Sequence, residues 1–218
     1  MRLRRSAVLV LAALVVLVGV AEARVINGTN RHDSIRGTPQ ADTINARGGD
    51  DVVHGRAGAD RLDGGRGRDW VVGGDGNDTA RGGPGVDRLS GGAGNDLLMG
   101  GAGADNAYGL AGNDTIVDNG GVNRLSGGAG ADTLGGGPDR DVMWGGPGSD
   151  SLDGAAGDDQ IRGGVDPDDL TGGAGNDTIY ARDGSEDTID CGEGVDTVEV
   201  DAQEDGVFDC ENVVYPTG

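Results

Sequence analysis

From Asp33 to Asp177 the chain repeats every nine residues without an insertion, setting a carboxylate at one position and an apolar side chain two positions later. With the acid numbered as position 6, the register runs through Asp33, Asp42, Asp51, Asp60, Asp69, Asp78, Asp87, Asp96, Asp105, Asp114, Asp132, Asp141, Asp150, Asp159, Asp168 and Asp177. Only Asn123 interrupts it. Position 8 is apolar in every unit, from Ile35 and Ile44 through Leu98 and Ile116 to Leu170 and Ile179. In the unit Gly91-Gly92-Ala93-Gly94-Asn95-Asp96-Leu97-Leu98-Met99, the glycines and Asn95 suit a turn. The last three residues suffice for a very short strand, with Leu98 pointing inward and Leu97 and Met99 outward. A unit this short cannot bury its apolar residue alone, so successive units must coil and stack into a solenoid with an inward ladder.

Composition narrows the choice. One Phe, two Trp and three Tyr among 218 residues leave little for a conventional globular core. The 47 glycines recur in nines rather than threes, which excludes a collagen helix. With 38 acids against 17 bases, the net charge of -21 disfavours nucleic acids and anionic membranes and makes cations the natural counterpart. Residues 1–23 stand apart: Arg2, Arg4 and Arg5 precede an apolar run from Ala7 to Ala21 and a small-residue Ala21-Glu22-Ala23 site. This is the pattern of a secretory signal peptide, so an extracellular location in an oxidising environment is expected for the mature chain.

The units resemble the RTX, or haemolysin-type, calcium-binding repeat, Gly-Gly-x-Gly-x-Asp-x-apolar-x, over roughly Gly28 to Ala181. The resemblance implies an all-β, right-handed parallel β-roll, a β-helix solenoid with two nonapeptide repeats per coil and calcium in the turns. Units eighteen residues apart would then stack so that their position-6 acids meet. One column would run through Asp51, Asp69, Asp87 and Asp105, continued beyond a flaw by Asp141, Asp159 and Asp177. The other would run through Asp60, Asp78, Asp96, Asp114, Asp132 and Asp150. Carboxylates stacked at a strand spacing of roughly 4.8 Å repel unless a divalent cation lies between them. Calcium accepts six to eight oxygens, and carbonyls next to glycine are open to it. Zinc or copper would call for His or Cys, and neither recurs in the turns. These aspartates are therefore the expected ligands of several Ca2+ ions. High charge with few aromatics also places the metal-free chain near the disordered class, so folding coupled to calcium is expected.

Departures from the repeat divide the chain. Residues 24–45 keep the acid and apolar residue but lack the glycine pair, and are expected to form an N-terminal cap; 46–181 form the calcium-binding roll. Around Asn123, Asp118 and Asn119 stand where the leading glycines should be, and a weak or empty site is expected there. Asp139 and Asp166 replace the position-4 glycine of their units, placing those loops in doubt. After Ile179 the beat slips by one residue, to Asp187, and residues 182–218 read as degenerate repeats and a C-terminal cap. Cys191 and Cys210 lie one coil plus one residue apart, and in a secreted chain they are expected to pair as a disulfide. Phe208, Val213, Val214 and Tyr215 are expected to cover the open end of the ladder.

Tyr108, Trp144 and Tyr180 fall at the outward position 9, two coils apart, with Trp70 at position 7 on the same face. They make a candidate ligand face for a cell-surface polysaccharide or protein; the alternative is surface strand residues of high β propensity. No His-Glu-x-x-His or Gly-x-Ser-x-Gly occurs, and the repeat accounts for the acids, so no catalytic residue is expected. The reading is a secreted, non-catalytic calcium-binding protein of structural or adhesive role. The alternatives are a glycan- or cell-wall-binding module and an accessory module of an exported enzyme or toxin.

Overall fold

The computed structural model describes residues 22–201 and 206–216. Residues 1–21, and with them nearly all of the expected signal peptide, lie outside the described residues. Among the described residues there is no helix; the strands alternate strictly between two sheets of eleven strands each. The first sheet begins with Val25–Asn27, Thr43–Asn45 and Arg61–Asp63, the second with Ser34–Arg36, Val52–Ala57 and Trp70–Asp75. Every pairing is parallel, and up to the pairing of Ile161 with Ile179 it joins residues eighteen apart, as Val71 with Leu89 and Ile116 with Leu134. Two nonapeptides therefore make each coil. No helix of the described residues is long and apolar enough to cross a membrane.

The core is one side chain deep from each sheet. Position 8 supplies it, from Ile44 and Val53 through Leu98, Ile116 and Met143 to Ile179, Ile189 and Val198, all essentially buried. Fully burying a Leu or Ile side chain contributes about 1.5–3 kcal/mol, so the ladder is the main apolar source of stability. Where position 1 is not glycine it also turns inward, as Ala46, Ala181 and Cys191 do.

Most strands are longer than the three residues read from the sequence. Trp70–Asp75 and Leu97–Ala102 continue through the two glycines that were assigned to the turn. The reason is backbone pairing: Gly74 lies in register with Gly92, and Gly101 with Gly83, on the neighbouring coils. Glycine lacks a side chain to favour a strand, yet in a solenoid its donors meet the next coil in register. The turn proper shrinks to positions 4–6.

The slip after Ile179 is absorbed without loss of register. Asp168 and Asp177 bond across nineteen residues rather than eighteen, to Asp187 and Asp196. Cys191 and Cys210 form the expected disulfide, with Cα atoms 5.1 Å apart. The end of the ladder is covered differently from expectation. Val207 and Val213 pack against the core, whereas Phe208, Val214 and Tyr215 are exposed. Strand alternation decides this, since Phe208 pairs with Asp190 and Val214 with Glu199, both on the outer face.

Candidate metal centre

Each position-6 aspartate closes a turn and folds its side chain inward. Asp51, Asp60, Asp69, Asp78, Asp87, Asp96, Asp105, Asp114, Asp132, Asp141, Asp150, Asp159 and Asp177 are all at most 3 % exposed. One carboxylate oxygen of each is spent on the fold. Oδ1 of Asp69 accepts the backbone N–H of Asp51 at 2.8 Å, that of Asp87 accepts from Asp69 at 2.8 Å, and that of Asp105 from Asp87 at 2.7 Å. The second column repeats this from Asp60 through Asp78, Asp96, Asp114 and Asp132 to Asp150. The two stacks expected from the eighteen-residue spacing are thus assembled as ladders of side chain on backbone.

The other oxygen is orphaned. Oδ2 of every one of those thirteen aspartates is buried with no hydrogen-bond partner. A buried charged acceptor without a donor is costly, and so many on one pattern call for a common partner. Burial is the leading reason that Asp60, Asp69, Asp105, Asp132, Asp141 and Asp177 are pushed above the ordinary carboxylate range. Asp78, Asp114 and Asp150 rise to about 6, and Asp87, Asp96 and Asp159 to about 7. Neighbouring aspartates add to the push, as Asp105 and Asp69 do at Asp87.

The glycines shape the space around that oxygen. A Cβ placed on Gly82 would lie 2.5 Å from Oδ2 of Asp87 and 2.7 Å from the carbonyl oxygen of Gly100 on the next coil. The bare Cα thus leaves a small cradle where one carboxylate oxygen and one carbonyl oxygen converge. Gly94, with φ of 124°, adopts the left-handed conformation that lets the turn pass over the Gly76 carbonyl. Among the described residues no three His, Cys, Asp or Glu side chains converge. A nitrogen- or sulfur-seeking metal has no site in these turns. A hard cation that takes much of its shell from backbone carbonyls fits the donor set, and calcium is that cation.

The first two units show what happens when a protein donor takes the cation's place. In the cap, Thr29 donates its N–H and hydroxyl to Oδ2 of Asp33 at 2.6 and 2.9 Å, and Thr38 does the same for Asp42 at 2.5 and 3.0 Å. Thr29 holds Asp33 below its ordinary value. Burial pushes Asp42 up, but the N–H groups of Thr38 and Arg24 outweigh it and leave the carboxyl lowered. A threonine in place of the second glycine is the signal for a self-satisfied turn, one the sequence reading had not used.

Three further buried acids share the orphaned state, as does the half-buried Asp183, and were missing from the expected ligand set. Asp168 and Asp196 continue the columns, buried with a free Oδ2 and raised mainly by burial, Asp168 to about 7. The Asp166 substitution therefore leaves the acid of its unit in the same state as the others. The third is Asp118, at the flaw. It replaces a leading glycine, is 3 % exposed, leaves Oδ2 without a partner, and is raised by burial to about 7. Asn123 keeps the ladder through Oδ1, accepting from Asp105 N–H at 2.9 Å, and spends its amide on the Gly121 carbonyl at 2.7 Å.

On the outer face of the second sheet, Trp70 is 46 % exposed and Tyr108, Trp144 and Tyr180 are half-buried. Arg88 lies over the Tyr108 ring at 5.4 Å, Arg162 over Tyr180 at 5.2 Å, and His54 tilts against Trp70 at 5.9 Å.

The model of the RTX calcium-binding nonapeptide repeat matches this chain at residues 27–62, 63–98, 99–134, 135–170, 162–198 and 171–207. No curated protein matches the chain.

Proposed function

The chain belongs to the RTX calcium-binding nonapeptide repeat family, whose repeats bind calcium in their turns, and from that premise we propose that it is an exported, non-catalytic rod whose folding is driven by calcium. The observation that carries this is the double column of buried, donorless carboxylate oxygens. As the aspartates Asp51, Asp60, Asp69, Asp78, Asp87, Asp96, Asp105, Asp114, Asp132, Asp141, Asp150, Asp159 and Asp177 would hold the ions, with glycine carbonyls completing the shells, binding free energy becomes folding free energy. Calcium supplies charge neutralisation between coils and no reaction chemistry. The basic, apolar N-terminal segment supports export, and the disulfide fits an oxidising exterior. The test is far-UV circular dichroism of the mature, disulfide-intact chain during calcium titration, with magnesium as control. A cooperative gain of β signal with calcium alone is expected; a β signal indifferent to chelation would overturn the reading.

An adhesive role is favoured by a specific feature of the second sheet. Along successive strands, ring and guanidinium alternate: Trp70, Arg88, Tyr108, Arg124, Trp144, Arg162, Tyr180. Trp70 pairs directly with Arg88, and Arg162 stands between Trp144 and Tyr180 in one row. Outward positions 7 and 9 of this sheet carry no acid from Ser34 to Tyr180, whereas the first sheet shows Asp63, Asp153, Asp169 and Asp190 there. In so acidic a chain, a basic aromatic stripe fits an acidic polysaccharide, its sugar faces on the rings and its carboxylates on the arginines. Rings recur at about 9.6 Å, two strand spacings. Retention on immobilised hyaluronan in calcium is expected to fall at least tenfold when Arg88, Arg124 and Arg162 become Gln, with the circular dichroism unchanged. Equal retention of that variant, or equal retention of the wild type on neutral dextran, would sink this reading.

A further inference from the structure

The flaw in the first column is filled from an unexpected direction. In a regular unit the space beside the leading glycine collects one carboxylate oxygen and one carbonyl oxygen, as Gly82 shows with Asp87 and Gly100. At Gly100 the same space receives two carboxylates. A Cβ there would lie 2.8 Å from Oδ2 of Asp105 and would collide with Oδ2 of Asp118, which arrives from position 1 of the next coil. Both oxygens are buried, and neither has a hydrogen-bond partner. The other oxygen of Asp118 is committed: Oδ1 accepts N–H bonds from Asn119 at 2.7 Å and Gly120 at 3.2 Å, which fixes the direction in which Oδ2 points.

Two ionised carboxylates cannot donate to each other, so the pair needs a cation or a shared proton. Asn123, one coil beyond Asp105, brings no charge, and its amide is already paired with Gly121. We propose that Asp118 supplies the carboxylate that Asn123 lacks, so that the interrupted coil keeps a calcium site built from Asp105, Asp118 and backbone carbonyls. The side chain comes from the position of a leading glycine rather than from position 6. The column of ions then runs through the flaw instead of being split by it. This inference rests on the calcium reading of the regular turns and adds to it one site of different construction.

Native mass spectrometry of the full mature chain in calcium counts the bound ions. Asp118→Gly, which installs the residue that sibling units carry, is expected to hold one ion fewer than wild type. Asp118→Gly/Asn123→Asp, which rebuilds a regular unit, is expected to regain it. Asp118→Asn keeps the side-chain volume and an acceptor for Asn119 and Gly120; its weakest ion is expected to bind at least tenfold less tightly, a readout that survives if the glycine variant does not fold. An unchanged ion count in Asp118→Gly, or unchanged affinities in Asp118→Asn, would mean that Asp105 and Asp118 share a proton and would overturn the proposal. Failure of the premise is seen separately, as wild-type protein that gains no β signal from calcium.

Discussion

Two glycine-to-alanine substitutions that are chemically identical are expected to move stability in opposite directions. At Gly82 a methyl group would lie 2.5 Å from Oδ2 of Asp87, 2.7 Å from the Gly100 carbonyl and 2.8 Å from Cβ of Asp87. Comfortable carbon contacts begin near 3.5 Å, so each neighbour must yield by most of an ångström. One of the three is a carbonyl of a paired strand, and another sits directly on the backbone of the turn. Overpacking of this kind costs about 1–3 kcal/mol, and the methyl also occupies the cradle in which the ion's oxygens converge. Gly135, in the strand Thr133–Gly137, meets nothing within 4 Å. There alanine only narrows the unfolded ensemble, a gain of about 0.4–1 kcal/mol. With roughly 2–4 °C per kcal/mol for a chain of this size, Gly82→Ala should melt roughly 2–12 °C below wild type and Gly135→Ala roughly 1–4 °C above it. Thermal denaturation followed by circular dichroism in saturating calcium measures both. Neither glycine has positive φ, so backbone strain does not separate them. Shifts of the same sign would refute the cradle.

Acidification is expected to substitute in part for calcium. An unfolded aspartate releases its proton near 3.8, whereas the folded, metal-free coil holds one on Asp78 to about 6 and on Asp87 to about 7. Between those limits the folded state binds more protons, so its stability rises as pH falls from about 7 toward 4, the gain being complete below the unfolded value. Circular dichroism in chelator across that range checks it, and a β signal that weakens steadily on acidification would count against it. Ile116→Ala, at a fully buried rung, should cost about 2–5 kcal/mol in calcium-saturated urea denaturation; a loss under 1 kcal/mol would mean the ladder relaxes around the hole. Replacing Cys191 and Cys210 together by Ser should remove about 3 kcal/mol, given the nineteen-residue separation. Hydrogen exchange should place that loss in the last coils; a uniform loss along the chain would contradict a local clamp.

Much of this architecture is written in the spacing of residues. An acid and an apolar residue two positions apart, repeated in nines, specify which side chains turn inward, which coils meet and which oxygens stack. What escaped the pattern were residues that do its work from the wrong position. Asp118 reads as the loss of a glycine, although in space it brings a carboxylate to Asp105. Thr29 and Thr38 read as degeneracy, although their hydroxyls and N–H groups complete the acids of the cap. The strands outran their expected length because glycine propensity says nothing about a donor that finds its acceptor one coil away. At the far end the sequence names Val207 and Phe208 equally, and only the pairing of Phe208 with Asp190 tells which one faces out.

The one-residue slip near Ile179 has a consequence for how such a chain varies over generations. Because each coil is re-registered by its own buried apolar residue, a stray residue in one turn is paid off within that coil and the next proceeds as before. Interior coils thus differ little in what they ask of their neighbours, and duplication or deletion of an eighteen-residue block changes copy number without redesign. The ends are not interchangeable in this way: one terminus is finished by threonines, the other by a covalent clasp. Length is therefore a heritable variable of the middle, while the two termini carry the instructions for stopping.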